Sequence, residues 1–111
     1  MEITISGRHM EVTEAMQKQI REHVGKLPRF DDQIQHVTAT LINDPAGQKV
    51  EVIAKCHKAI LVANGQSHDV YLSIDQAFEK LQKRITRFHD KLTTKHAREA
   101  QQSSESAKRP E

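Results

Sequence analysis

The sequence predicts an α+β domain with elements in the order β-α-β-β-β-α: a four-stranded sheet with two helices on one face. Three observations predict it. Four short segments alternate apolar and polar residues, while two longer ones repeat apolar residues every three or four positions. Clusters of Gly, Pro, Asn and Ser fall between them, where turns are needed. Each helical segment has one apolar stripe, so a single sheet face can cover both.

Residues 2–6 open the chain as a strand, with Ile3 and Ile5 on one side and Glu2, Thr4 and Ser6 on the other. Gly7 is expected to end it. Thr13 is placed to cap the first helix, with Glu14 at the positive end of its dipole. Met16, Ile20, Val24 and Leu27 form that helix's apolar face, and Pro28 closes it near residue 27. Ile34 to Ile42 is rich in β-branched residues, with Val37, Ala39 and Leu41 on one face and Thr38 and Thr40 on the other. Asn43 to Gly47 is a turn cluster. Lys49 to Cys56 is the next strand, with Val50, Val52 and Ala54 on one face. A tight turn near His57 and Lys58 leads into Ala59–Asn64, where Ile60 and Val62 alternate with Leu61 and Ala63. Gly65-Gln66-Ser67 is expected to break that strand, with Ser67 or Asp69 capping a helix that runs to His96. The first two strands, joined by a helix, should be parallel with a right-handed crossover, and the last three an antiparallel meander. The domain is expected to span residues 1–96. Residues 97–111 have no apolar side chain larger than alanine and are expected to form a disordered tail.

A chain of 111 residues is long enough for one domain, and 36% hydrophobic residues with a mean hydropathy of −0.70 make its core economical. The formal charge is only +2, so any case for a polyanionic partner must rest on how charge is distributed. One cysteine, Cys56, excludes an intramolecular disulfide and fits a reducing cytoplasm. No apolar run approaches the roughly 20 residues needed to cross a bilayer, and the N-terminus lacks the apolar core of a signal peptide, so no membrane partner is expected.

The last helix carries the strongest functional signal. Ile74, Phe78, Leu81, Ile85, Phe88 and Leu92 make a narrow apolar stripe. Lys80, Arg84, Arg87, Lys91 and Lys95 make a second stripe, roughly 110° round from the first at 3.6 residues per turn, and Lys83 extends its edge. Asp75, Glu79 and Asp90 fall on the opposite flank. An ordinary solvated helix mixes its charges to gain i,i+4 pairs; this one sorts them at a cost in self-repulsion. Sorted cations over four turns fit a long polyanion, held through phosphate contacts and counterion release. Nothing resembles a base-reading motif, so the shape and backbone of folded RNA are the fitting target.

Catalytic and metal constellations are not legible. Among the seven histidines (His9, His23, His36, His57, His68, His89 and His96) no two have helical ligand spacing. Cys56 and His57 are adjacent, but strand neighbours point to opposite faces, so no metal or other cofactor is expected. Cys56 lacks a recognisable base or orienting group, and Asp69 and Asp75 project some 120° apart on one helix. With no glycine-rich phosphate loop either, the sequence predicts no enzyme.

The segment Asp69-Val70-Tyr71-Leu72-Ser73-Ile74-Asp75 resembles the signature Asp-x-Tyr-x-x-Ile-Asp of the bacterial ribosome hibernation factors, which include short hibernation-promoting factor and ribosome-associated inhibitor A. Gly7-Arg8-His9 followed by Val12-Thr13 resembles that family's opening, and the match covers about residues 1–95. The resemblance implies a fold similar to double-stranded-RNA-binding domains. It also implies a site between head and body of the small ribosomal subunit, on rRNA and the ribosomal proteins of the decoding channel. There the protein would overlap messenger RNA and A- and P-site transfer RNA, blocking translation and preserving idle ribosomes in stationary phase or stress. Family cations that contact rRNA match Lys80, Lys83, Arg87 and Lys91, and Arg84 and Lys95 share their stripe. Arg8, Lys26 and Arg29 lie at loop ends expected to reach the same RNA. Tyr71 is expected to pack against the sheet, and Asp69 and Asp75 to cap and orient the helix. Where the family commonly has a lysine, this chain has His89. The long family form carries a C-terminal dimerisation domain, which this chain, ending at Glu111, is expected to lack; short forms work with a separate ribosome-dimerising factor in some bacteria. The alternative reading is an RNA-binding module acting on another structured RNA, such as an rRNA-processing or assembly factor.

Overall fold

The computed structural model describes the backbone of residues 1–97 and the side chains of residues 1–92. The expected tail beyond Ala97 and the side chain of Lys95 lie outside the described residues. The elements are β1 (Glu2–Arg8), α1 (Glu14–Lys26), a 3-10 turn (Leu27–Arg29), β2 (Ile34–Asp44), β3 (Gly47–Cys56), β4 (Ala59–Ser67) and α2 (Val70–Ala97). The sheet order is β1-β2-β3-β4, with β1 parallel to β2 and the other pairs antiparallel. This is the predicted α+β order.

α1 begins where the sequence places it: the Thr13 hydroxyl accepts a hydrogen bond from the Met16 N–H at 3.3 Å. Pro28 does not end the chain's helical path at once but sits in the 3-10 turn, where its missing N–H has no partner to lose. α2 starts on Asp69, whose carboxylate accepts from the Tyr71 N–H at 3.0 Å.

Four strand ends differ from expectation: β2 runs on to Asp44 and β3 begins at Gly47, shortening the expected turn, and β1 and β4 both run past a glycine. β1 does not stop at Gly7; Gly7 pairs with Leu41 and Arg8 with Ile42. Gly7 is needed for space, because a Cβ there would lie 2.6 Å from the Met10 carbonyl oxygen where the chain doubles back. β4 does not stop at Asn64; Gly65 pairs with Val50 and the strand continues to Ser67. A Cβ on Gly65 would lie 2.5 Å from the Ser73 carbonyl oxygen and 2.7 Å from Gln76 Cβ. The glycine therefore lets α2 rest directly on the β4 backbone.

The core lies between one sheet face and the two helices. Val37, Ala39, Leu41, Val50, Val52, Ala54, Cys56 and Ala63 cover the sheet side. Met16, Ile20 and Val24 of α1 and Ile74, Ala77, Phe78, Leu81 and Ile85 of α2 close over it, in one continuous cluster. β4 resolves an ambiguity of its alternating pattern. Ala63 and Leu61 align with Val52 and Ala54 on the core side, so Ile60 and Val62 face outward and are exposed.

Candidate nucleic-acid interface

The cation stripe exists as one surface because the rest of α2 is committed elsewhere. Ile74, Phe78, Leu81 and Ile85 are fully buried, while Lys80, Lys83, Arg84, Arg87 and Lys91 are exposed. Of the acids on α2, Asp75 faces α1, whereas Asp90 lines a hollow with Lys83 and Arg87. Asp75 Oδ1 accepts from Gln19 Nε2 at 2.9 Å and lies 2.8 Å from His23 Nε2, and Gln19 also donates to the Tyr71 carbonyl at 3.0 Å. The His23 ring stacks on Phe78, with centroids 4.9 Å apart and planes 1° from parallel. Asp75 thus joins α1 to α2 rather than capping a helix end; the capping belongs to Asp69. With Asp75 turned toward α1, Lys80, Arg84 and Lys91 fall on the other side of the helix from it, while Lys83 and Arg87 border a hollow with Phe30, just past the 3-10 turn. Asp75 is therefore used in packing, and Lys80, Lys83, Arg84, Arg87 and Lys91 are exposed.

The remaining predicted site residues divide among three places. Arg29 ends the 3-10 turn, and its neighbour Phe30 lines a shallow hollow with Lys83 and Arg87. Lys26 lines the groove between the helices beside Asp69, Tyr71 and Asp75. Tyr71 and Leu72 are partly exposed at that groove, so Tyr71 stands at a rim between helices and not against the sheet. Arg8 lies apart. Its partner Ile42 alternates with the core residue Leu41, which puts Arg8 on the sheet face opposite the helices. Strand alternation to residue 8 was hidden by the expectation that Gly7 ends β1.

Sequence reasoning missed a second constellation, below the C-terminal half of α2. Asp31 is buried at the start of the loop into β2. Its Oδ2 lies 3.0 Å from His57 Nε2 and 2.9 Å from His89 Nδ1, and its Oδ1 accepts from the Gln33 N–H at 2.8 Å. Burial by itself would raise the Asp31 pKa; the Gln33 N–H, His89 and His57 together outweigh it and hold the carboxyl at about 2. Cys56 is buried beside it, and burial first, then the Asp31 charge and hydrogen bond, push the thiol up to about 11. The premise that Cys56 and His57 must diverge fails because His57 is not in a strand. It sits in the β3–β4 turn with φ +59°, and this left-handed residue swings its ring back over Asp31. His89, the departure from a family lysine, is accounted for by the same carboxylate.

A family model described as sigma 54 modulation protein / S30EA ribosomal protein matches residues 3–93. The chain is 30% identical over 91 residues to a ribosome hibernation promoting factor of Azotobacter vinelandii, covering 82% of this chain and 85% of that one. It is also 30% identical over 99 residues to the ribosome hibernation promoting factor of Escherichia coli strain K12, covering 83% and 97%. The fold is similar to that of a ribosomal subunit interface protein from Coxiella burnetii, with a TM-score of 0.73 at 18% identity, over 81% of this chain and 99% of the other.

Proposed function

The chain belongs to the sigma 54 modulation protein / S30EA ribosomal protein family, and from that membership we propose that it binds the ribosome and inhibits translation. In this reading it occupies the decoding channel of the small subunit, across the positions of messenger RNA and of A- and P-site transfer RNA, and preserves idle ribosomes. The single observation that carries the reading is the basic flank of α2. Lys80, Lys83, Arg84, Arg87 and Lys91 are all exposed along one rigid, core-anchored helix. A helix held at this many buried positions fixes the backbone from which the cations project, so docking on phosphates orders side chains but no further backbone.

Arg29, next in sequence to Phe30 of the hollow that Lys83 and Arg87 line, would extend the proposed contact, and Lys95 continues the stripe in sequence. Lys26 would meet RNA only along the inter-helix groove. Arg8 would need a second strand or protein on the open sheet face, and ribosomal proteins of the channel fit that place. A ribosome-dimerising factor would then be a further partner. The inhibition needs no bond to be made or broken, only occupancy. A protein acting this way works in the cytoplasm, and no helix among the described residues is long and apolar enough to cross a membrane.

The test is cosedimentation with purified subunits, followed by electron cryo-microscopy of the complex. The protein should travel with the small subunit and with whole ribosomes, and messenger RNA with initiator transfer RNA should displace it. Sedimentation with precursor particles alone, or binding that messenger and transfer RNA leave untouched, would favour the processing-factor alternative.

A further inference from the structure

We propose that Asp31, Cys56, His57 and His89 form a binding site for one Zn2+ ion, tying the C-terminal half of α2 to the β3–β4 turn. The donor atoms of Asp31, Cys56 and His57 lie within 4.8 Å of one another. His89 Nδ1 adds a fourth, 2.9 Å from Asp31 Oδ2. Ligands around tetrahedral zinc stand roughly 3.3–3.6 Å apart, given Zn–N and Zn–O near 2.0–2.1 Å and Zn–S near 2.3 Å. Asp31, Cys56 and His57 already stand close to that spacing, and His89, near Asp31 but outside their mutual 4.8 Å, would move in to complete the tetrahedron. One thiolate, two imidazoles and one carboxylate form a mixed S/N/O set that suits zinc better than a hard cation such as Mg2+.

Charge favours the same occupant. Asp31 places a negative charge where its side chain is only 1% exposed. Among the described residues its hydrogen-bond partners are two imidazoles, one backbone N–H and a thiol. A divalent cation with one carboxylate and one thiolate makes the buried cluster neutral. Binding breaks the Cys56 S–H bond, forms an S–Zn bond and sends the proton to solvent. Each ring nitrogen that binds zinc gives up any proton it carries, and no oxidant or reductant is required. The His57 and His89 side chains are 34% and 44% exposed, which leaves an entry path.

Four residues from four places in the sequence supply the ligands: the loop before β2, the end of β3, the turn after it, and α2. Occupancy would therefore cross-link the far end of the sheet to the helix that carries the cation stripe.

The test uses the untagged full chain, reduced and stripped with a chelator, and titrated with Co2+ alone and then Zn2+. One Co2+ per chain should bind, with a thiolate-to-cobalt charge-transfer band that Zn2+ abolishes. C56S should lose the band. H89Q, altered at the rim and not in the core, should bind Zn2+ at least roughly tenfold more weakly, since even losing an outer partner of a metal ligand costs that much. Absence of the band in the wild type overturns the proposal. So does a wild-type spectrum and affinity in C56S or H89Q. If circular dichroism shows C56S unfolded, H57Q and H89Q decide alone: unchanged Zn2+ affinity in both refutes the site.

Discussion

Replacing Lys80, Arg84 and Lys91 together with glutamine should strip most of the protein's salt-sensitive RNA affinity and leave its fold intact. All three side chains are exposed, on the flank of α2 away from Asp75 and α1. None enters the layer formed by Ile74, Phe78, Leu81 and Ile85. Gln, Lys and Arg have close helix propensities, so stability should change by less than about 1 kcal/mol. If the five exposed cations each meet one phosphate, log affinity should fall with log salt at a slope of about −3.5 to −4.5. Between 50 and 200 mM salt that is a loss of roughly 130- to 500-fold. The triple variant keeps two contacts, so its slope should be about −1.4 to −1.8 and its loss only about 7- to 12-fold over the same range. The assay is small-subunit binding across a salt series, with circular dichroism and in vitro translation in parallel. A folded triple variant with the wild-type slope and wild-type inhibition would refute the assignment of this flank as the RNA contact.

Leu81→Ala should act in the opposite way, lowering stability by about 2–5 kcal/mol through a cavity under α2 while leaving every cation in place; chemical denaturation measures it. Gly65→Ala should cost on the order of 1–3 kcal/mol, because the new methyl meets the α2 backbone at Ser73 and Ala77; a compensating Gln76→Ala should recover little of it, since the backbone contacts remain. Asp31 titrates near 2 in the folded protein against 3.8 ordinarily, so it stabilises the fold above the unfolded value, and that contribution fades as pH falls from about 4 through about 2. The difference is worth roughly 2 kcal/mol, and thermal melts of Asp31→Asn across that range should show a shallower acid loss than the wild type.

Much of this molecule is legible from local pattern. Val37, Ala39 and Leu41 on alternate positions of β2, and Ile74, Phe78, Leu81 and Ile85 at helical spacing on α2, declare which faces are buried because strand and helix periods differ. Thr13 declares the start of α1 because an exposed hydroxyl can satisfy a helical N–H. The cation stripe is equally local, since its members share one helix and one register. Gly7 and Gly65 misled for a physical reason: glycine marks both a break and a close approach, and only the partner element distinguishes them. The tertiary structure alone decided the rest. It turned Asp75 into the link between the helices, by bringing Gln19 and His23 to it across more than 50 residues of chain. It set Arg8 on the far face of the sheet through its pairing with Ile42. It gathered Asp31, Cys56, His57 and His89 around one carboxylate, where sequence spacing had shown only scattered histidines. Periodicity records which way a side chain points from its own element; what it meets there depends on long-range contacts that leave no periodic trace.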